Sequence, residues 1–169
     1  MTGYVALLRG VNLGKRQLKM ADLKHIAVQL GLDNPRTFIA SGNLLFSSAE
    51  PESVLRMALE AALRDHMGAS VDVMVRTAAE MAAVARANPF AGEPGNQVAA
   101  IFLAQAPDAE ALVEAKNVGD ERMALGTREI YVHYPGGMGQ SRLRIGAAAK
   151  GTARNMNTVA RLAELAEEH

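Results

Sequence analysis

Apolar positions along this chain recur with two different periods, and the switches between them lay out its elements. Residues 4–8 are a compact apolar run, which predicts a buried strand. Between residues 20 and 30 the apolar side chains fall at 20, 23, 26, 27 and 30, one stripe of a helix that Gly31 stops. Residues 36–40 and 44–47 are short β-type runs around Ser41-Gly42-Asn43, the signature of a hairpin. Pro51 opens a second helix with Leu55, Leu59, Leu63 and Met67 on its inner face, and Gly68 closes it. Val71, Val73 and Val75 alternate with polar neighbours, as a half-buried strand does. Thr77 and Glu80 form a capping box for a helix to about residue 87, ended by Asn88-Pro89.

A Gly/Pro-rich linker at 91–96 follows, and then the pattern starts again. Residues 98–103 are the most apolar strand, and Pro107-Asp108 starts a short helix ending near Lys116. Residues 122–125 and 129–134 flank Gly126-Thr127 as a second hairpin. A long loop with five glycines covers 135–154, and a last helix begins near Asn155 and buries Val159, Leu162, Ala163 and Ala166. Strand, helix, hairpin, helix thus occurs twice. That order predicts an α+β protein of duplicated ferredoxin-like β-α-β-β-α units, antiparallel sheets backed by helices. The expected halves are 1–76 and 98–169, joined by a helix and linker at 77–97. Only element order repeats; no residue identity links the halves.

Half of the 169 residues are hydrophobic and a fifth are charged, the balance of a globular chain able to bury a core. Cysteine is absent, which removes disulfides, thiolate chemistry and Cys-ligated zinc. The four His are scattered without metal-ligand spacing, so neither a metal nor a cofactor is expected. There is no apolar run of membrane-spanning length and no signal-peptide pattern, so the chain reads as cytoplasmic.

Net charge is zero by cancellation. Residues 1–48 carry six cations and two anions, and residues 128–160 carry five cations and one anion, so each block has a net +4. Between them, residues 49–127 hold six cations and twelve anions. Both basic blocks contain a Gly- and Asn-rich loop. In the first, Arg9, Gly10, Asn12, Gly14 and Lys15 follow the opening strand. Such a loop can point backbone N–H groups into one concavity for an anion, or it can be a tight turn capped by its own Asn. The second block holds Pro135-Gly136-Gly137-Met138-Gly139-Gln140-Ser141-Arg142, which matches neither a Walker motif nor a dinucleotide fingerprint. Arg154, Asn155 and Asn157 open the last helix, where an N-terminus offers N–H groups to an anion. Capping explains one Asn there but not both.

Five stretches in order, VALLRGVNLGK (5–15), KMADL (19–23), RTFIASGNLLF (36–46), YPGGMGQSRL (134–143) and GTARNMNTV (151–159), resemble an uncharacterised bacterial domain-of-unknown-function family. Its members read LLRGVNVGG, SGN, a Gly-rich stretch ending in Ser-Lys-Leu, and RNWNTV. This chain departs from that pattern at Leu13-Gly14-Lys15, at Arg142 in place of Lys, and at Met156 in place of Trp. The resemblance implies a small cytosolic α+β protein and no established activity.

The functional expectation is one basic site built from both loops, with Arg9, Asn12, Lys15, Ser41, Asn43, Ser141, Arg142, Arg154, Asn155 and Asn157 as ligand-binding residues. Its ligand would be a nucleotide or another phosphate-bearing molecule. A nucleic-acid backbone is admitted, but the stacking aromatics that would support it are lacking. The alternatives are a phosphoryl- or acyl-transfer enzyme with Arg stabilisers, and an interaction module without a small ligand; homodimerisation is left open. No general base is evident, because the acids fall on helix faces and in the tail rather than beside the glycine loops.

Overall fold

Strand β1 (Thr2–Leu8) is buried from Tyr4 onward, as the middle strand of a sheet must be. In the computed structural model, which describes residues 1–12, 16–39 and 41–169, it lies between two antiparallel partners. These are β3 (Asn43–Ser48) and β4 (Val73–Thr77). β2 (Asp33–Thr37) adds outside β3, giving the order β2-β3-β1-β4. Helices α1 (Met20–Gln29) and α2 (Glu52–Met67) are the crossovers from β1 to β2 and from β3 to β4. Their inner residues Leu23, Ile26, Leu55, Leu59 and Leu63 share one core with Ala6, Leu8, Leu44, Phe46 and Val75. This is the ferredoxin-like arrangement.

The chain divides into two units. One comprises Met1–Met81 with Leu162–His169, the other Ala82–Arg161. In the second, β5 (Val98–Phe102) is wholly buried between β7 (Glu129–His133) and β8 (Thr152–Asn155). β6 (Arg122–Leu125) lies outside β7, so the order is β6-β7-β5-β8, the first sheet's order repeated, again antiparallel throughout. The repeat therefore contains four strands. β8 falls inside the expected long loop, because a four-residue strand with Arg and Asn carries no β signal until β5 pairs with it.

The expected helix at 107–116 does not form. Ala111 N–H donates to Asp108 O and Val113 N–H to Glu110 O, closures of isolated turns. A ten-residue helix is marginal without packing, and here Ala111 is buried and Leu112 and Ala115 meet the core, while Val113 is 82% exposed. The segment joining β7 to β8 holds two short 3-10 turns, Met138–Gln140 and Gly146–Ala148. β2 starts three residues before its expected position, with its pairing irregular between Asp33 and Arg36 and Asn34 in the left-handed region (φ 48°).

Helices α3 (Ala78–Arg86) and α4 (Met156–Glu167) each begin directly at the end of an edge strand. The capping box of α3 is reciprocal: Thr77 N–H donates to Glu80 Oε1 (2.8 Å) and Glu80 N–H to Thr77 Oγ1 (3.1 Å). At α4, Asn155 Oδ1 accepts from Thr158 N–H (2.9 Å). No helix of the described residues is long and apolar enough to cross a membrane.

Candidate functional site

The first basic loop is held by contacts to Asp72 and by the Asn12 side chain. Arg9 N–H donates to Asp72 O (2.9 Å), and the Arg9 guanidinium is 4.0 Å from the Asp72 carboxylate. Asn12 adopts φ 59°, its N–H donates to Arg16 O, and its Oδ1 accepts from Leu18 N–H (2.7 Å). Lys15 lies outside the described residues. The hairpin turn packs against this loop. At Gly42 (φ 90°) an added Cβ would sit 2.6 Å from Val11 Cγ2 and 3.0 Å from Leu8 Cβ, so a side chain there would force the joint to shift. Asn43 is buried, its Nδ2 donating to Phe38 O (2.9 Å) and Ser41 Oγ (3.0 Å). The Arg-Gly-Val-Asn and Ser-Gly-Asn stretches are thus two halves of one joint. The bonds named for Asn12 and Asn43 are those of a turn capped by its own asparagines.

At the last helix, Arg154 lies on β8 and is buried rather than open to solvent. Its Nη1 donates to Thr152 Oγ1 (2.7 Å) and Ala153 O (2.9 Å). Burial pushes its pKa down to about 10. Asn155 is the cap. Asn157 is exposed and lies over Gly95, where any Cβ would collide with its amide. Met156 is buried in the core.

The Gly-rich loop borders a cleft of about 280 Å³. Asn117, Asp120, Glu121, Tyr134, Gln140, Ser141 and Arg142 line it together with Gly136 and Gly137. Ser141 Oγ donates to Glu121 Oε1 at 2.6 Å and accepts from Leu143 N–H (3.2 Å). Glu121 Oε2 accepts from Gly119 N–H (2.8 Å). The Ser141 hydrogen bond, then the backbone ones, hold the Glu121 carboxyl below the usual carboxylate range. Burial, then the charge of Glu121, pushes the Tyr134 phenol up. Acids therefore do stand beside a glycine loop, contrary to expectation. Asp120 and Glu121 follow the helix end expected near Lys116; the bridge between Lys116 and Arg144 joins this segment to the Gly-rich one, and Glu121 reaches Ser141. Their position just before β6 is the signal that was there to find.

Tyr134 also lines a second hollow, of about 480 Å³, with Ile101, Leu143, Arg144, Ile145, Ala148 and Ala149. Elsewhere in this unit His133 is buried, and Arg122 Nη2 lies 3.2 Å from its Nδ1 and 3.0 Å from Glu93 Oε1. His133 Nε2 is 3.6 Å from Glu93 Oε2, ion-pair reach but too long for a hydrogen bond. Arg122 Nη2 thus stands between the His133 ring and the Glu93 carboxylate and links all three side chains. Among the described residues no group of three His, Cys, Asp or Glu could hold a metal ion.

A family described as "Protein of unknown function (DUF1697)" matches residues 1–131. A solved structure of a conserved bacterial protein from Streptococcus pneumoniae is similar over 99% of both chains, with 23% sequence identity and a TM-score of 0.82. That likeness concerns the fold. Among curated proteins none matches.

Proposed function

We propose that this chain, which belongs to the DUF1697 family of proteins of unknown function, binds a small hydroxylated phosphate ester at the Gly-rich cleft of its second unit. The observation that carries this reading is the joint presence of Arg142 and the carboxylates of Asp120 and Glu121 in one cleft. A bare anion would meet more negative than positive side chains there. A ligand bearing both a phosphate and hydroxyl groups suits the lining. A guanidinium donates in a planar fork to phosphate oxygens, and ionised carboxylates accept from hydroxyls. Nucleotides and sugar phosphates carry both.

Binding is favoured over catalysis. The Ser141 hydroxyl is committed to Glu121, and a carboxyl held below its usual range is a weak proton acceptor at neutral pH. Calorimetric titration with ribose 5-phosphate tests the reading. Arg142→Ala is expected to weaken binding at least about tenfold, the loss of one charged hydrogen-bonding group. Equal affinity in the variant and the parent would exclude this cleft.

A further inference from the structure

β6 is an outer strand of the second unit's sheet, and no strand pairs with its far side among the described residues. It is also the least buried strand of that sheet, with Arg122 and Leu125 exposed where β5 and β7 are buried throughout. The register fixes which backbone groups face outward. Gly126 N–H donates to Glu129 O at 2.7 Å and closes the hairpin; the next pairs are Leu125–Ile130, Ala124–Tyr131, Met123–Val132 and Arg122–His133. Antiparallel pairs alternate between bonded and non-bonded, so Ala124 and Arg122 bond to β7. Met123 and Leu125 turn their N–H and C=O groups to the far side. The corresponding outer strand of the first sheet is guarded. β2 contains Pro35, which has no N–H, Asn34 in the left-handed region, and a shift of register between Asp33 and Arg36. β6 has no proline and an unbroken register. Its one charge, Arg122, is drawn onto the Phe90 ring (5.0 Å to the centroid) and Glu93 (3.0 Å).

We propose that β6 pairs with β6 of a second copy of this chain, antiparallel about a two-fold axis at Ala124, so that two four-stranded sheets become one continuous sheet. The inference is independent of the ligand reading. The axis must pass through a residue, because only then do outward groups of one strand meet outward groups of the other. At Ala124 it sets Met123 opposite Leu125 of the copy, and each satisfies the other's N–H and C=O. Just beyond the strand, Asp120 falls opposite Arg128 of the copy, an attractive pair that the symmetry makes twice. An axis at Leu125 would set Arg122 against Arg128 and Glu121 against Glu129, both repulsive. An axis at Met123 would set the Glu121 carboxylate against Leu125. Charge thus selects a copy of the same strand in one register. Strands this short make a small interface, so the dimer is a reversible one.

Sedimentation equilibrium of the full chain tests the dimer, and cysteine cross-linking tests the register. A monomer–dimer equilibrium is expected, weakened at least about tenfold in Leu125→Pro, which removes an outward N–H and leaves the ladder to β7 in place. The chain has no cysteine, so a single introduced thiol reports its own neighbourhood. Ala124→Cys is expected to give a disulfide-linked dimer under copper–phenanthroline, since residues facing each other in a non-bonded pair bring their Cα atoms to about 4.5 Å. Leu125→Cys stands diagonally from its own counterpart, at roughly 7–8 Å, and is expected to stay unlinked. A chain that remains monomeric up to about 1 mM overturns the proposal. A dimer that persists undiminished in Leu125→Pro uses another surface and overturns it too, as does linking of Leu125→Cys as readily as Ala124→Cys. Should Leu125→Pro unfold, the two cysteine variants decide alone.

Discussion

Two buried arginines carry the residue-level trace of the duplication. Arg76 and Arg154 each stand last but one in an edge strand, and each donates from Nη1 to the carbonyl of the residue before it, at 3.1 Å and 2.9 Å. Tyr131 shows a third way of burying a polar atom, its hydroxyl donating to Val84 O at 2.8 Å. Burial, then the charge of Glu129, raises its pKa from 10 to about 12. The unfolded chain therefore releases this proton first, and stability from this group falls as pH rises from 10 towards 12. Tyr131→Phe is expected to cost about 1 kcal/mol at pH 7 and to flatten that alkaline fall, as read by urea unfolding at both ends of the range. In the cleft, Ser141→Ala should raise the Glu121 pKa towards its ordinary value, because the hydroxyl is the largest cause of its depression. Carbon-detected NMR titration of that carboxyl measures it, and an unmoved midpoint would refute the assigned hydrogen bond. Little of this was legible in the sequence. Arg154 reads in the sequence as an anion-binding group outside the last helix, and its burial is decided by the strand beside it.

At the scale of elements, what was legible is what local chemistry decides. The reciprocal Thr77–Glu80 cap, the left-handed Gly68 stop after α2 and the two hairpin turns all depend on residues within a few positions of one another. The segment at 107–116 and the strand β8 do not. The segment at 107–116 packs on its core through isolated turns rather than a helix, and β8 exists because β5 has a free side. The joint between the first loop and its hairpin lies between these cases: both motifs are visible in the chain, and their contact is not. Gly42→Ala is expected to lower stability by about 1–3 kcal/mol, since the new Cβ meets Val11 in a left-handed backbone. Thermal and urea unfolding measure it, and a neutral result would show that the turn relaxes freely.

For the whole molecule, the order of the chain and the membership of the units disagree. Residues 162–169 lie at the far end of the sequence and belong to the unit that begins at Met1. Leu162, Leu165 and Ala166 are buried, Ala166 O comes against Gly3, and Arg36 pairs with Glu168 at 3.3 Å. A chain cut after residue 161 is expected to lose amide protection in β1–β4 while β5–β8 keep theirs, as hydrogen exchange would show. Equal loss in both sheets would mean that the two units unfold together. The same membership sets a timetable on the ribosome. Domains generally fold as they emerge, at about 5–20 residues per second, so the 80 residues of Ala82–Arg161 occupy roughly 4–16 s of synthesis. Throughout that interval the first unit waits for its final eight residues, and the second, begun later, is the first whose whole sequence has been translated.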